Sequence, residues 1–418
     1  MAFKAWAAKQ QKRAQIDEMV LSSGYSGMTF GITINGKTVS FTTSGTVTDI
    51  GINSGLLSGL LASVEPEFLE ITWAGFRSGI RATAVTPGKP FTITTVQTPA
   101  SGFFNTSGVV ANLSPSDFGD GVNFEPSGIP AAADTLTFDG RTTTPCLWRL
   151  DSLSGALLNA LEVLATYGGS EPQIGLSELD EDGDYPQYRP RYLGVAADTV
   201  NVGKGPGPGI RLFKQDQGNS GIEMNVFKTG TARETNRNPV TFKTTNTSGR
   251  LNIYNGGVDF AILGNESGRL ITLNVGPTGQ GNPRVSLGFG TDMASGTLNL
   301  QVGSVNLNGR LYALNHKAGT ATIQGSGQIF DLNVNGGTLI HQGTGPIGTV
   351  DLTAPGATLQ LGNVGPRITI SGRVTQKAGT SLLDKGFRGT YASGILYDGC
   401  SPTQCTTDLG PDRTITPV

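Results

Sequence analysis

The chain has 418 residues, 61 of them glycine, with 37% apolar and only 15% charged residues and a net charge of −2. The glycines follow no strict G-X-Y period, which excludes collagen, and the lack of basic excess argues against bulk nucleic-acid binding. The apolar residues alternate, so many short strands with tight turns are expected rather than disorder.

Residues 2–20 combine strong helix formers (Ala, Lys, Gln) with the apolar contacts Phe3, Ile16, Met19 and Val20, and are expected as a helical arm within 1–26. Lys4, Lys9, Lys12 and Arg13 make it basic, either as a solvated arm or as a docking arm for an acidic partner surface. This opening lacks the apolar core and cleavage site of a secretory signal, and no window approaches the roughly 18 apolar residues of a membrane-spanning helix.

Residues 27–96 read as an α+β module of order ββαβββ, with a helix on one face of an antiparallel sheet. MTFGITING and KTVSFTT alternate and meet at Asn35-Gly36, a hairpin signal. A helix capped by Thr48 follows, with Ile52, Leu56, Leu57, Leu60 and Leu61 on one side. Gly51, Gly55 and Gly59 recur every four residues, so another backbone is expected against that stripe. Strands are expected at Phe68–Trp73, Ile80–Ala84 and Phe91–Thr95.

Residues 97–194 read as a connection and solenoid cap, with a strand at Thr135–Phe138 and a helix over 151–166, whose leucines have helical spacing. From 195 to 385 the text becomes short strands separated by Gly or Asn-Gly turns. Gly296, Gly319, Gly337, Gly356 and Gly379 recur at intervals of 23, 18, 19 and 23. An interval near 20 suits one rung of a right-handed parallel β-helix, or solenoid; an antiparallel sandwich is the alternative, but its turns fall every 8–12 residues. Leu314, Leu332 and Leu352 are expected to stack as one buried ladder. Residues 386–418 lose the pattern and read as a tail. The fold class is therefore mainly β.

Catalytic markers are sparse. His316 and His341 occupy different rung positions and read as surface or turn histidines, a poor metal pair. No G-x-S-x-G elbow occurs. Asp331 and Asp351, in IFDLNV and TVDLTA, are the weak catalytic candidates: stacked one rung apart, near 5 Å, they would suit a retaining glycosidase, though stacked turn aspartates look the same. The acidic run carrying Glu178, Asp180, Asp182 and Asp184 is either a solvated loop or a Ca²⁺ site; no other cofactor is expected. The following YPQYRPRYL offers Tyr185, Tyr188, Arg189, Arg191 and Tyr192 as anchors of a chain-to-chain contact. Cys400 and Cys405 flank Ser-Pro-Thr-Gln and could close a small disulfide loop, leaving Cys146 free.

The segments FGITINGKTVSFTT, GLLSGLLAS and IRATAVTPGKPFTITT resemble a small domain of tailed-bacteriophage and prophage structural proteins. Downstream, Asp134–Gly140, Gly175–Gly183 and Tyr188–Leu193 are similar to motifs of one such family that precede a Gly-rich β-helix; that family carries Trp where this chain has Phe118 and Phe124. The resemblance implies a non-enzymatic virion protein, assembled in the host cytoplasm and released by lysis. Its expected partners are copies of itself, as a homotrimer, and other virion proteins such as the major capsid protein, with neither nucleic acid nor membrane. A capsid-surface decoration or head fibre ranks first. A tail fibre or receptor-binding spike, a polysaccharide-active spike and a bacterial adhesin are the alternatives.

Overall fold

The computed structural model describes residues 2–21, 26–45, 47–77, 79–100, 104–179, 185–218, 222–263 and 266–410. It is mainly β, with a parallel solenoid of about 12 turns. Consecutive rungs pair in parallel through every strand of the main ladder, which rules out the antiparallel sandwich.

Strand alternation sets what is buried. Leu136, Leu161, Val200, Met224, Leu251, Leu273, Leu298, Leu314, Leu332, Val350, Val374 and Ile395 stack in register along the main ladder. All are fully buried, and burial of each contributes roughly 1.5–3 kcal/mol. A second ladder of 11 strands forms another face. In the later rungs a short third ladder runs from Gly268–Arg269 through Thr291–Asp292, Arg310–Leu311, Gln328–Ile329, Ile347 and Ile368–Ile370 to Gly389–Tyr391. Of the five marker glycines, Gly319, Gly337, Gly356 and Gly379 have positive φ and turn corners as expected. Gly296 is needed for another reason: a Cβ there would lie 2.6 Å from the Leu270 carbonyl oxygen of the neighbouring rung.

The solenoid is longer at both ends than its period suggested. It begins at Thr135–Phe138 and takes in Leu157–Leu164, a strand where a capping helix was expected. Leu158, Leu161 and Val163 point into the core, while Leu157 stays exposed. Short apolar runs carry no reliable period, and pairing on both sides decided the outcome. At the other end Gly389–Tyr391, Ile395–Tyr397 and Thr406–Asp408 form final rungs where a tail was expected.

Residues 2–20 form no helical arm. Phe3–Trp6 pairs in parallel with Thr135–Phe138 and antiparallel with Phe124–Glu125, closing the first rung. Ile16–Leu21 is a strand of the small module, with Met19 and Leu21 buried. Helix propensity is a weak prior, and both segments find strand partners. The N-terminal end of the core is closed by aromatics: Trp6 lies 5.5 Å from Phe124, 5.8 Å from Phe138 and 6.4 Å from Phe118. Its indole N–H donates to the Thr144 carbonyl at 3.2 Å.

The module holds two antiparallel sheets rather than one. One has the order Ile71–Phe76, Gly79–Ala84, Ile16–Leu21, Phe104–Val110; the other is Lys37–Thr42, Thr29–Ile34, Thr94–Thr98. The Asn35-Gly36 hairpin forms with both turn residues at positive φ. Thr48 caps the helix Asp49–Leu61, accepting from the Gly51 N–H at 3.3 Å. The glycine stripe meets side chains, not a backbone: a Cβ at Gly55 would overlap the Phe41 ring, and one at Gly59 would press on Val39.

Candidate functional site

The YPQYRPRYL segment lies where the module meets the solenoid, and three of its anchors, Tyr185, Tyr188 and Arg189, are engaged within the chain. Glu70 caps the short helix Pro66–Leu69 and is largely buried. Arg189 donates to it at 2.6 Å and to the Pro90 carbonyl at 2.6 Å. Lys89 reaches the other carboxylate oxygen at 2.6 Å. The Tyr185 hydroxyl donates to Glu70, and that of Tyr188 does so at 3.3 Å. Burial, followed by the Glu70 carboxylate, pushes the Tyr185 phenol well up; burial does the same for Tyr188. The Arg189 guanidinium lies 4.4 Å over the Tyr188 ring and 5.6 Å over Trp148. One buried carboxylate thus gathers two cations and two phenols from both domains.

Beside this joint is a groove of about 960 Å³ lined by Arg191, Tyr192, Arg237, Lys243 and Glu266 among others. Lys243 sits 4.4 Å over the Tyr192 ring and 3.2 Å from Asp216. Arg237 pairs with Glu178. The weak Ca²⁺ candidate Glu178 is therefore bound to a guanidinium; Asp180, Asp182 and Asp184 lie outside the described residues. Among the described residues no three His, Cys, Asp or Glu side chains are grouped to hold a metal, and no helix is long and apolar enough to cross a membrane.

The proposed carboxylate pair comes apart. Asp331 stacks on Thr349, whose hydroxyl donates to it at 2.7 Å, and Asp351 stacks on Asn333. The rung is 18 residues at this point, from Leu332 to Val350, so Leu352 falls in line with Val334 rather than with Leu332. The retaining-glycosidase geometry rested on the two aspartates being equivalent, and they are not.

The histidines are not at the surface either. His316 stands between Leu300 and Val334, and His341 between Ile323 and Leu361, both facing the core from different ladders. Burial lowers the His316 pKa; burial and the Arg388 guanidinium bring that of His341 down to about 4. Both are neutral members of an apolar column.

Two of the interface candidates of the expected arm, Lys9 and Arg13, also bind within the chain, while Lys12 is exposed. Lys9 pairs with Glu125 at 3.2 Å, Arg13 donates to the Ala111 carbonyl at 3.2 Å, and Lys12 borders a hollow with Gly88 and Ser114. Cys400 and Cys405 are thiols with their sulfurs 3.3 Å apart.

Two features escaped the sequence reading. Glu70 gave no signal, because its partner Arg189 lies 119 residues away. The outward ladder Asn201, Asn225, Asn252, Asn274, Asn299, Asn315, Asn333 did give one, since each member from Asn252 on sits in Leu-Asn followed by Ile, Val, Leu or His. A third surface is apolar: the helix Asp49–Leu61 turns Ile52, Leu56 and Leu60 inward but leaves Ile50 66% and Leu61 65% exposed. These two residues are 11 apart, about three turns, and so share a face.

The fold and this joint define a parallel β-solenoid protein carrying an N-terminal α+β module. No family model, curated protein or solved structure matches the chain.

Proposed function

We propose that the chain is a non-enzymatic structural protein of a tailed-phage virion, a capsid-surface decoration or head fibre held through its N-terminal module. The observation that carries the reading is a division of surface character. The module exposes Ile50 and Leu61 on the helix Asp49–Leu61, Val64 in the connection after it and Leu69 on the short helix Pro66–Leu69, whereas the main face of the solenoid displays a hydrogen-bonded row of amides. An apolar helix face left in water suits attachment to another protein, and a stack of about 12 rungs suits a stiff rod of roughly 50 Å. The motif resemblance to phage structural proteins supplies the setting: a virion location, with the major capsid protein and two further copies of this chain as partners.

The buried Glu70–Arg189 joint fits this role, since a rod projects only if its base is fixed to it. The test is cryo-electron microscopy of particles with and without the protein. Extra density on the capsid that disappears with the gene supports the reading; unaltered heads and a changed tail would move the protein to a tail fibre. Native mass spectrometry of the purified chain reports whether it is a trimer.

A further inference from the structure

The last turn of the solenoid is closed by a short loop. It links Ile395–Tyr397, on the main face, to Thr406–Asp408, the final strand of the second ladder. Within it, Pro402–Gln404 makes a single tight turn. The Gln404 side-chain carbonyl accepts from the Ser401 N–H at 2.8 Å, fixing the turn from inside. The two ends of the loop are Cys400 and Cys405, both half-buried, with sulfurs 3.3 Å apart. Cys405 Sγ also lies 3.3 Å from the Lys377 carbonyl oxygen of the preceding rung, and Cys400 Sγ 3.5 Å from that of Gln376. The loop itself is pinned to that rung: the Gly379 N–H donates to the Gln404 carbonyl at 2.8 Å, and the Thr406 N–H to the Thr380 carbonyl at 2.9 Å.

We propose that Cys400 and Cys405 form a reversible disulfide that locks the C-terminal end of the solenoid. Both thiols are already in contact, so the bond needs only a small sulfur movement. The oxidant is a low-molecular-weight disulfide such as oxidised glutathione. The thiolate of one cysteine attacks it, forming a mixed disulfide and releasing one glutathione thiolate. The second cysteine, as thiolate, then attacks the protein sulfur of that bond and releases the second glutathione. Two cysteine thiols are oxidised, and one glutathione disulfide is reduced to two thiols. Burial, and then the hydrogen bond with Cys400, raises the Cys405 pKa, so closure quickens as pH rises. Cys146 is the internal control: it is fully buried, and burial pushes its thiol well up. The consequence belongs to the end of the fold. A solenoid frays from its terminal rung, and a bridge across this turn holds the strand Thr406–Asp408 in place.

The experiment uses the full-length native protein in oxidised glutathione at pH 8, read by intact mass, peptide mapping and hydrogen exchange. The expected result is a loss of two mass units, a Cys400–Cys405 linked peptide, and slower exchange at 395–408. The reductant dithiothreitol should reverse all three, and Cys405→Ser should show none. A protein that keeps three free thiols, that accumulates only glutathione adducts, or that links Cys146 instead overturns the proposal. So does a bridge that leaves exchange at 395–408 unchanged.

Discussion

Asn201 donates a side-chain hydrogen bond to Glu162, its neighbour in the adjacent rung, at 2.7 Å. Every following member of the amide row repeats the step. Asn225, Asn252, Asn274, Asn299, Asn315 and Asn333 each donate to the asparagine before, over distances of 2.6–3.3 Å. All bonds run the same way, so the row ends on a carboxylate that only accepts. Aligned amide dipoles of this kind reinforce one another.

Asn274 sits in the middle, donating to Asn252 at 2.6 Å and accepting from Asn299 at 2.9 Å. Asn274→Ala strands a half-buried acceptor and a half-buried donor. It should lower stability by about 1–2 kcal/mol, read as a lower urea midpoint with an unchanged slope. Asn274→Asp should be worse than alanine at pH 7, where a carboxylate cannot donate, and should recover at pH 3, where it can. A wild-type midpoint for both variants would mean that water replaces the amide without cost.

The same row shows why the register was misjudged from sequence. Asp331-Leu332 and Asp351-Leu352 look equivalent as text, yet the pairing sets Leu332-Asn333 on Val350-Asp351. The inner column accepts Val as readily as Leu, and the outer one accepts Asp beside Asn, so identical letters misled where chemical class would not. The solenoid itself was legible because its period is local. The strand Phe3–Trp6 was not, since its partner begins at Thr135 and its residues favour a helix in isolation. Arg189 was visible as an anchor, but not what it would hold. His316 and His341 read as polar, although each stands two residues after a buried leucine, Leu314 and Leu339, and alternation puts it on the same inward face.

Rung spacing makes a sharp test of backbone approach. A Cβ at Gly345 would overlap the carbonyl oxygen of Gly327 in the rung below, whereas one at Gly356 meets open space and only suffers a φ of +84°. Gly356→Ala should cost about 1–2 kcal/mol, the penalty for left-handed backbone. Gly345→Ala should cost clearly more, because backbone must move on backbone. Thermal unfolding of the two variants ranks them. Equal losses would show that the rungs separate easily at this corner.

At the joint, Arg189 is 6% exposed and Glu70 13% on their side chains. Removing one partner leaves the other charge buried, which typically costs about 3–5 kcal/mol. Lys89 still faces Glu70 at 2.6 Å, so Arg189→Met should fall at the low end of that range, about 3 kcal/mol. The loss should be localised, with faster hydrogen exchange at the Pro66–Leu69 helix and at 185–192 while the late rungs keep wild-type protection. Adding Glu70→Gln to that variant should cost less than Glu70→Gln costs in the wild type, since the pair with Arg189 is already gone. Strictly additive losses would show that the two groups do not act as a pair.

His341 ties stability to pH. In the folded chain its pKa is brought down to about 4, against the usual 6.5. Above pH 6.5 the imidazole is neutral in both states and folding is unaffected. As pH falls below 6.5 the unfolded chain takes up a proton that the native chain refuses until about pH 4, so stability drops through that window. The shift corresponds to roughly 3 kcal/mol at full extent, and the lowered pKa of His316 acts in the same direction. His341→Leu places an aliphatic side chain between Ile323 and Leu361. It should match or exceed the wild type at pH 7.5 and exceed it by a wider margin at pH 4.5, as urea midpoints at the two pH values would report. A margin that does not grow on acidification would mean that His341 is protonated in the folded core, with a partner other than the carbonyl-bound Arg388 beside it.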